Sequence, residues 1–400
     1  MFNQTAYALG ANRSCIRELF EYGRSRAAIV GRDHVYDYSL GNPSMPAPHQ
    51  VEQAIRDILA DTPSLAIHGY TTATGDLEAR SAISQDLNRR YGAETRPEEF
   101  FLGCGAAPEL VAVFRALAVP EGEILAIAPY FPEYKPFAQS AGLTFRVVDA
   151  DIPNFQIHFS RLEAMLSPHT QAVLINSPNN PSGVVYTRQT LQRLAALLEE
   201  KSRQYGHPIY LISDEPYREL AYGVEVPFVP GIYADTLVCY SYSKSLSLPG
   251  ERIGYVYIPR TATDGAQLYA CVAGAARACG HVCAPSLMQK VIARCAHLRP
   301  DLEAYDENRT LLYQSLTAMG YRMAKPDGAF YLFIEAPGGD SEAFSRKARE
   351  KDLLLVPGTD FGCPGYFRVC YCVPKQQILD SLPVFRSLIA PVDNPCTTLV

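Results

Sequence analysis

The sequence predicts an α/β fold: a mostly parallel sheet of seven strands with helices on both faces, joined to a smaller α+β part. Three observations predict it. Between residues 48 and 286, short apolar runs alternate with amphipathic stretches. The link into the run ending at Ile258 is too short to hold a crossover helix. After Leu312 the pattern turns strand-rich.

The apolar runs cover residues 100–102, 124–128, 144–148, 172–176, 209–213, 236–241 and 253–258. Helical stretches lie between them, as in 188–205, where Leu191, Leu194, Leu197 and Leu198 recur at helical spacing. Strand–helix alternation of this kind builds a parallel sheet covered on both faces. The seventh run follows its predecessor too closely for a crossover and is therefore expected to be antiparallel. Residues 287–312 read as long helix interrupted by Pro300, and 328–334 and 366–370 read as strands. The expected division is a large domain over 48–286 and a small one made of 1–47 and 287–400. Residues 1–10 and 392–400 are expected to be loosely held.

Composition narrows the function classes. The 400 residues are 48% hydrophobic and 20% charged, with a formal net charge of −6. An acidic, globular chain argues against a nucleic-acid or anionic-membrane surface. No apolar window reaches the ~18 residues of a membrane span. The N-terminus has no basic stretch followed by an apolar block, so no signal peptide is expected and the cytoplasm is the expected location. The eleven cysteines include no Cys-x-x-Cys pair, and most lie inside apolar or helical runs, such as Cys239, Cys271, Cys295 and Cys370, and read as buried small hydrophobes. Cys279, His281 and Cys283 match no usual zinc spacing, so no metal is expected.

Four segments carry chemistry. In Ser241-Tyr242-Ser243-Lys244, with Arg252 eight residues on, one amine, hydroxyls and a guanidinium gather at the end of a strand. A Schiff-base lysine needs that company if its aldehyde cofactor carries a phosphate. Taken alone, the segment is equally a solvated turn. Asp214, in Asp-Glu-Pro-Tyr217, follows a buried strand, where a carboxylate is costly unless paired; a pyridinium nitrogen would pair it, and helix capping is the plainer reading. Asn176-Ser-Pro-Asn-Asn180-Pro-Ser-Gly183 is a turn by composition. Gly103-Cys-Gly105-Ala106-Ala107 opens a helix whose free N–H groups suit an anion, as any tight strand-to-helix turn does.

In this order the four segments resemble the fold-type I pyridoxal-phosphate aminotransferases of class I/II, from Gly41-Asn42-Pro43 to Phe367-Arg368. The resemblance implies an aspartate-aminotransferase-like fold and pyridoxal 5′-phosphate as cofactor. It implies that Lys244 holds the cofactor and moves the substrate's α-proton, and that Asp214 pairs with the ring nitrogen. Tyr217 and Asn180 would bond the ring's phenolic oxygen, and Phe131, or else Tyr130, would stack on the ring. The backbone of Gly105, Ala106 and Ala107 would hold the phosphate with Ser241, Ser243 and Arg252. Ala107 stands where relatives often carry Ser, Thr or Lys. Arg368 would pair with the substrate's α-carboxylate, although a strand-edge charge would look the same, and Gly41 would approach the substrate. Tyr70 would reach the neighbouring subunit's phosphate, making the active unit a homodimer.

Aspartate with 2-oxoglutarate is the expected substrate pair. Arg277 is a candidate for the side-chain carboxylate or a plain helix-surface residue. Aromatic or alanine-type transamination stays open, as do carbon–sulfur β-lyase and 1-aminocyclopropane-1-carboxylate synthase chemistry, which share the four segments. A cofactor-sensing DNA-binding regulator is disfavoured, because the aminotransferase pattern begins too early in an acidic chain.

Overall fold

The computed structural model describes residues 1–11 and 14–389. Its central sheet has seven strands: β1 (Phe100–Gly103), β2 (Glu123–Ile127), β3 (Thr144–Val148), β4 (Thr170–Asn176), β5 (Tyr210–Asp214), β6 (Thr236–Ser241) and β7 (Gly254–Tyr257). Across the sheet they run β1-β7-β6-β5-β4-β2-β3. Every pairing is parallel except those of β7, which is antiparallel to both β1 and β6. The expected seven strands and the antiparallel member are thus present.

Helices on both faces bury the sheet, which is why its strands read as unbroken apolar runs. One face packs Val51, Ile58, Ile83 and Leu87 against Phe100, Val238 and Tyr255. The other packs Leu110, Val113, Phe114 and Val272 against Ile124, Leu174, Ile212 and Val256. Only the edge strand β3 stays partly exposed.

A second, three-stranded antiparallel sheet is built from β8 (Tyr331–Glu335), β9 (Val356–Pro357) and β10 (Tyr366–Cys370), with β10 in the middle. It shares a core with the helices Leu302–Ala318 and Lys375–Leu388 through Leu312, Leu316, Leu332, Phe367, Val369, Ile378 and Phe385. The N-terminal segment joins this part through a parallel pairing of Tyr36–Asp37 with Leu353–Leu354.

Two expectations need correcting. The stretch 287–312 is two helices, Ser286–Cys295 and Leu302–Ala318. Pro300 lacks the N–H a continuing helix needs, and the Asp301 side chain restarts the helix by accepting from the N–H groups of Glu303 and Ala304. The first helix packs Met288, Val291, Ile292 and Cys295 under the central sheet, whereas the second belongs to the C-terminal core. The strand expected from Gly328 begins only at Tyr331, because Ala329 has a positive φ of 55°. A Cβ on Gly328 would sit 2.6 Å from Pro178 Cβ and 2.7 Å from Leu220 O, so glycine permits the close approach of the two parts there.

Residues 1–10, expected to be loose, include part of a helix, Gln4–Ala11, with no buried residue. The other expected loose end, 392–400, lies outside the described residues. Among those, no helix is long and apolar enough to cross a membrane.

Candidate active site

Strands β4, β5 and β6 end level with one another: Asn176 pairs with Asp214, and Asp214 with Cys239. Ligands bind at such carboxyl ends in open α/β sheets. A cavity of about 470 Å³ opens there, between the sheet and the C-terminal part.

Lys244 lies in a short helix, Tyr242–Ser245, into which β6 runs directly. Ser241 Oγ caps it by accepting the Ser243 N–H at 3.1 Å. The Lys244 Nζ donates to Gly41 O at 2.6 Å and sits 5.7 Å from the centre of the Phe330 ring. Burial pushes its pKa down; Cys372 and Cys370 oppose this, and Arg368 and Arg252 add to it. An amine so placed is a better base near neutral pH than a free lysine.

Asp214 closes β5. Tyr134 donates to its Oδ2 at 2.5 Å, while Oδ1 is buried with no partner among the described residues. Burial raises the carboxyl to about 7, with Tyr134 pulling it down and Glu215 pushing it up. Asn176 Nδ2 fixes the strand end by donating to Asp214 O at 2.8 Å. The Tyr217 hydroxyl lies 2.8 Å from that of Tyr331.

Arg368, on β10, is 1% exposed. Its Nη1 donates to Asn180 Oδ1 at 2.8 Å, its Nη2 to Ser39 O at 2.5 Å, and its Nε has no partner among the described residues. The guanidinium stacks 4.7 Å from the Tyr331 ring and 5.1 Å from the Phe361 ring. A buried guanidinium with an unpartnered N–H, on a residue that lines a cavity, is suited to take an anion.

Opposite lies a basic, hydroxyl-bearing corner. The helix Ala106–Ala116 starts here after Gly105, whose φ is 93°. A Cβ on Gly105 would stand 2.9 Å from Arg252 Nη2, so glycine is needed both for the turn and for the approach of the guanidinium. The Ser241 and Ser243 hydroxyls are 2.6 Å apart.

The structure brings Gly41, Ala106, Ala107, Phe131, Asn180 and Asp214 to this cavity. Tyr217, Ser241, Ser243, Lys244, Arg252 and Arg368 line it as well. Gly105 sits at the start of the adjoining helix, against Arg252. Of the two stacking candidates only Phe131 lines the cavity; Tyr130 packs edge-on against Phe145. Tyr70 is 88% exposed and lies outside it. Arg277 is exposed near the end of the helix Gly265–Ala278 and also lies outside it. The sequence reading missed Tyr134, Tyr331 and Arg17. No local motif marks the two tyrosines, and Arg17 precedes every recognisable segment.

Glu109, one turn into the same helix, is buried with neither oxygen partnered among the described residues. Burial pushes its pKa well up, Arg252 lowers it and Asp214 raises it. An unfolded glutamate releases its proton near pH 4.3, whereas the folded chain keeps this one to higher pH. The folded state then binds more protons, and its stability falls as pH rises. Glu109→Gln removes that loss. Its melting temperature should exceed the parent's by about 2 °C or more at pH 8 and by less at pH 5. A difference independent of pH would refute a protonated Glu109.

The residues fit a phosphorylated aromatic cofactor with a protonated ring nitrogen. The orphaned Asp214 Oδ1 awaits a cationic donor, and the Gly105–Arg252 corner suits a phosphate. The aminotransferase class I and II family matches residues 34–382. An amino transferase of Eubacterium rectale superposes with a TM-score of 0.95 at 53% identity, covering 97% of this chain and 98% of that one. Aspartate aminotransferase of Thermotoga maritima is 29% identical over 367 residues, which are 90% of this chain and 92% of that protein. A crystal structure of an aspartate aminotransferase from Thermotoga maritima superposes with a TM-score of 0.84 at 27% identity, covering 96% and 99% of the two chains. Aromatic-amino-acid aminotransferase 2 of Thermococcus litoralis is 25% identical, covering 93% and 94%. With its aspartate-aminotransferase-like fold and these strand-end groups, the chain belongs to the aminotransferase class I and II family.

Proposed function

We propose that this aminotransferase holds pyridoxal 5′-phosphate on Lys244 and exchanges an amino group between aspartate and 2-oxoglutarate. The observation that carries the cofactor assignment is the buried, unpartnered Oδ1 of Asp214, a residue that lines the same cavity as Lys244. Bound there, the cofactor supplies an electron sink that acidifies the hydrogen on the substrate's α-carbon. Lys244 Nζ, its pKa lowered by burial, takes and returns that proton. Asp214 holds its charge against the ring nitrogen, with Tyr134 fixing its orientation. Tyr217 and Asn180 would bond the ring oxygen, and Phe131 would stack on the ring, all three residues lining the cavity. Ser241, Ser243, Arg252 and the backbone of Gly105, Ala106 and Ala107 hold the phosphate. Arg368 takes the α-carboxylate beside Gly41.

The active unit we propose is a cytoplasmic homodimer. Tyr70 would complete the neighbour's phosphate site, in keeping with its 88% exposure and the 90% exposure of Leu65 nearby. We also draw the domain boundary between Cys295 and Leu302 instead of at 286, because the helix Ser286–Cys295 packs under the central sheet.

For the side-chain carboxylate of aspartate, Arg17 replaces Arg277 as the candidate from this chain. Arg17, on the helix Cys15–Val30, lines the cavity and makes no ion pair among the described residues. Leu110, Ile16 and Phe137 line the same cavity and favour an aromatic substrate as the second reading. A single-turnover screen over a panel of amino acids, measuring the 2-oxo acid released, separates the two. Arg17 is exposed in this chain, so an apolar substrate costs its guanidinium little, and a side-chain carboxylate gains an ion pair worth up to about 1 kcal/mol. Aspartate and glutamate should therefore exceed alanine and phenylalanine about fivefold in specificity constant, since each 1.4 kcal/mol is about tenfold. Preference for tyrosine or phenylalanine would overturn aspartate. Release of a side-chain leaving group with ammonia would point to β-elimination.

A further inference from the structure

Two cysteines stand behind the site and take no part in the chemistry above. β10 ends at Cys370, and Cys372 follows after one residue. Side chains two apart on an extended strand share a face, and here that face meets the segment Tyr38–Gly41. Four consecutive carbonyls of the segment are held. Tyr38 O accepts from the Cys370 N–H at 3.1 Å, and Ser39 O accepts from Arg368 Nη2 at 2.5 Å. Leu40 O accepts from Cys372 Sγ at 4.0 Å, and Gly41 O from Lys244 Nζ at 2.6 Å. The substrate-carboxylate arginine and the active-site lysine thus lean on the same short segment as the cysteine pair. The two sulfurs lie 2.8 Å apart, and both residues are buried.

We propose that Cys370 and Cys372 form a peroxide-sensitive modification site, whose oxidation to an intrachain disulfide loosens the Leu40–Gly41 segment and weakens amino-acid binding. Cys370 sulfur attacks one oxygen of hydrogen peroxide: an S–O bond forms, the O–O bond breaks, and the thiol proton leaves in water. Cys372 sulfur then displaces the hydroxyl from Cys370, the S–S bond forms, and a second water departs with its proton. Two thiols lose two hydrogens, and one peroxide is reduced to two waters. The division of roles follows the surroundings. Burial pushes the Cys370 thiol up, but the Cys372 S–H, Arg368 and Lys244 outweigh it and bring the thiol down. Burial and Cys370 together push Cys372 well up. Cys370 is therefore the attacking sulfur and Cys372 the resolving one. In the disulfide, Cys372 has lost the one S–H that it shares between Cys370 Sγ and Leu40 O, and the carbonyl row that positions Arg368 and Lys244 loses one of its holds.

The test treats the cofactor-loaded enzyme with hydrogen peroxide, alkylates it and digests it with trypsin. Cleavage after Arg368 and Lys375 yields the peptide 369–375, which carries both cysteines. The expected result is a peptide lighter by two hydrogens and closed to both alkylations, restored by dithiothreitol. KM for the amino acid should rise severalfold in parallel and return on reduction. In Cys372→Ser, peroxide should give no crosslinked peptide and no reversible rise in KM. Full alkylation of both thiols after peroxide would overturn the proposal, as would separate oxidation of each sulfur without a crosslink. A crosslink that leaves KM unchanged would overturn its coupling to substrate binding. The peptide mass of the parent protein decides the chemistry even if the variant fails to fold.

Discussion

Lys244→Ala is expected to abolish transamination while leaving the fold intact. Among the described residues, the side chain is the one amine lining the cavity that could both hold the cofactor's aldehyde and shuttle the α-proton. Proton transfer by a positioned side chain alone contributes about 10²–10⁴-fold, and the covalent anchor is lost with it, so the residual rate should fall below about one ten-thousandth of the parent's. Stability should change little. The ammonium is buried, with one hydrogen-bond partner, Gly41 O, so its removal also relieves a desolvation cost. Borohydride reduction of the parent protein followed by peptide mapping should place the pyridoxyl group on Lys244. A label on another lysine, or a variant that still turns over, would sink the assignment.

Legibility in the sequence followed the type of interaction. Strands buried on both faces, such as β4 and β5, read as uninterrupted apolar runs, and the antiparallel β7 betrayed itself by its short link. Two-residue pairings such as Tyr36–Asp37 with Leu353–Leu354 carry no period to detect. Pro300 showed as an interruption, but only packing revealed that the helices on its two sides serve different cores. In the site, Lys244, Asp214, Asn180 and Arg252 were legible because each lies in a local motif at a strand end. Tyr134 and Tyr331 were not, since their importance is tertiary: one supports a carboxylate 80 residues away in sequence and the other a phenol 114 residues away. Arg277 lies outside this chain's cavity, which the sequence could not show for the same reason. A helix-surface arginine and a cavity arginine look alike until the chain is folded. Cys239, Cys295 and Cys370 read as buried small hydrophobes and are buried, whereas Cys271, read the same way, is exposed on its helix; the contact of Cys370 with Cys372 in front of Leu40 is a matter of three-dimensional packing.

Asp214→Ala should damage the chemical step far more than folding. In the cofactor-free protein the carboxyl titrates near 7 because of burial, against about 3.9 in an unfolded chain. Between those values the folded state holds the extra proton, so its stability falls as pH rises from about 4 to 7. The alanine variant escapes that loss but leaves the buried Tyr134 hydroxyl without its acceptor, at about 1–3 kcal/mol. Cofactor-free Asp214→Ala should therefore melt no lower than the parent at pH 8, and relatively lower at pH 4. Catalysis moves the other way. Without Asp214 the ring nitrogen has no buried anion to keep its proton, and charge developing at the α-carbon has less of a sink. Preorganised electrostatic partners of this kind are worth about 10²–10³-fold in rate, and a loss in that range is expected in single turnover, with amino-acid binding through Arg368 preserved. A variant within about threefold of the parent, a difference of only ~0.7 kcal/mol, would remove Asp214 from the mechanism and leave its unpartnered oxygen without a function.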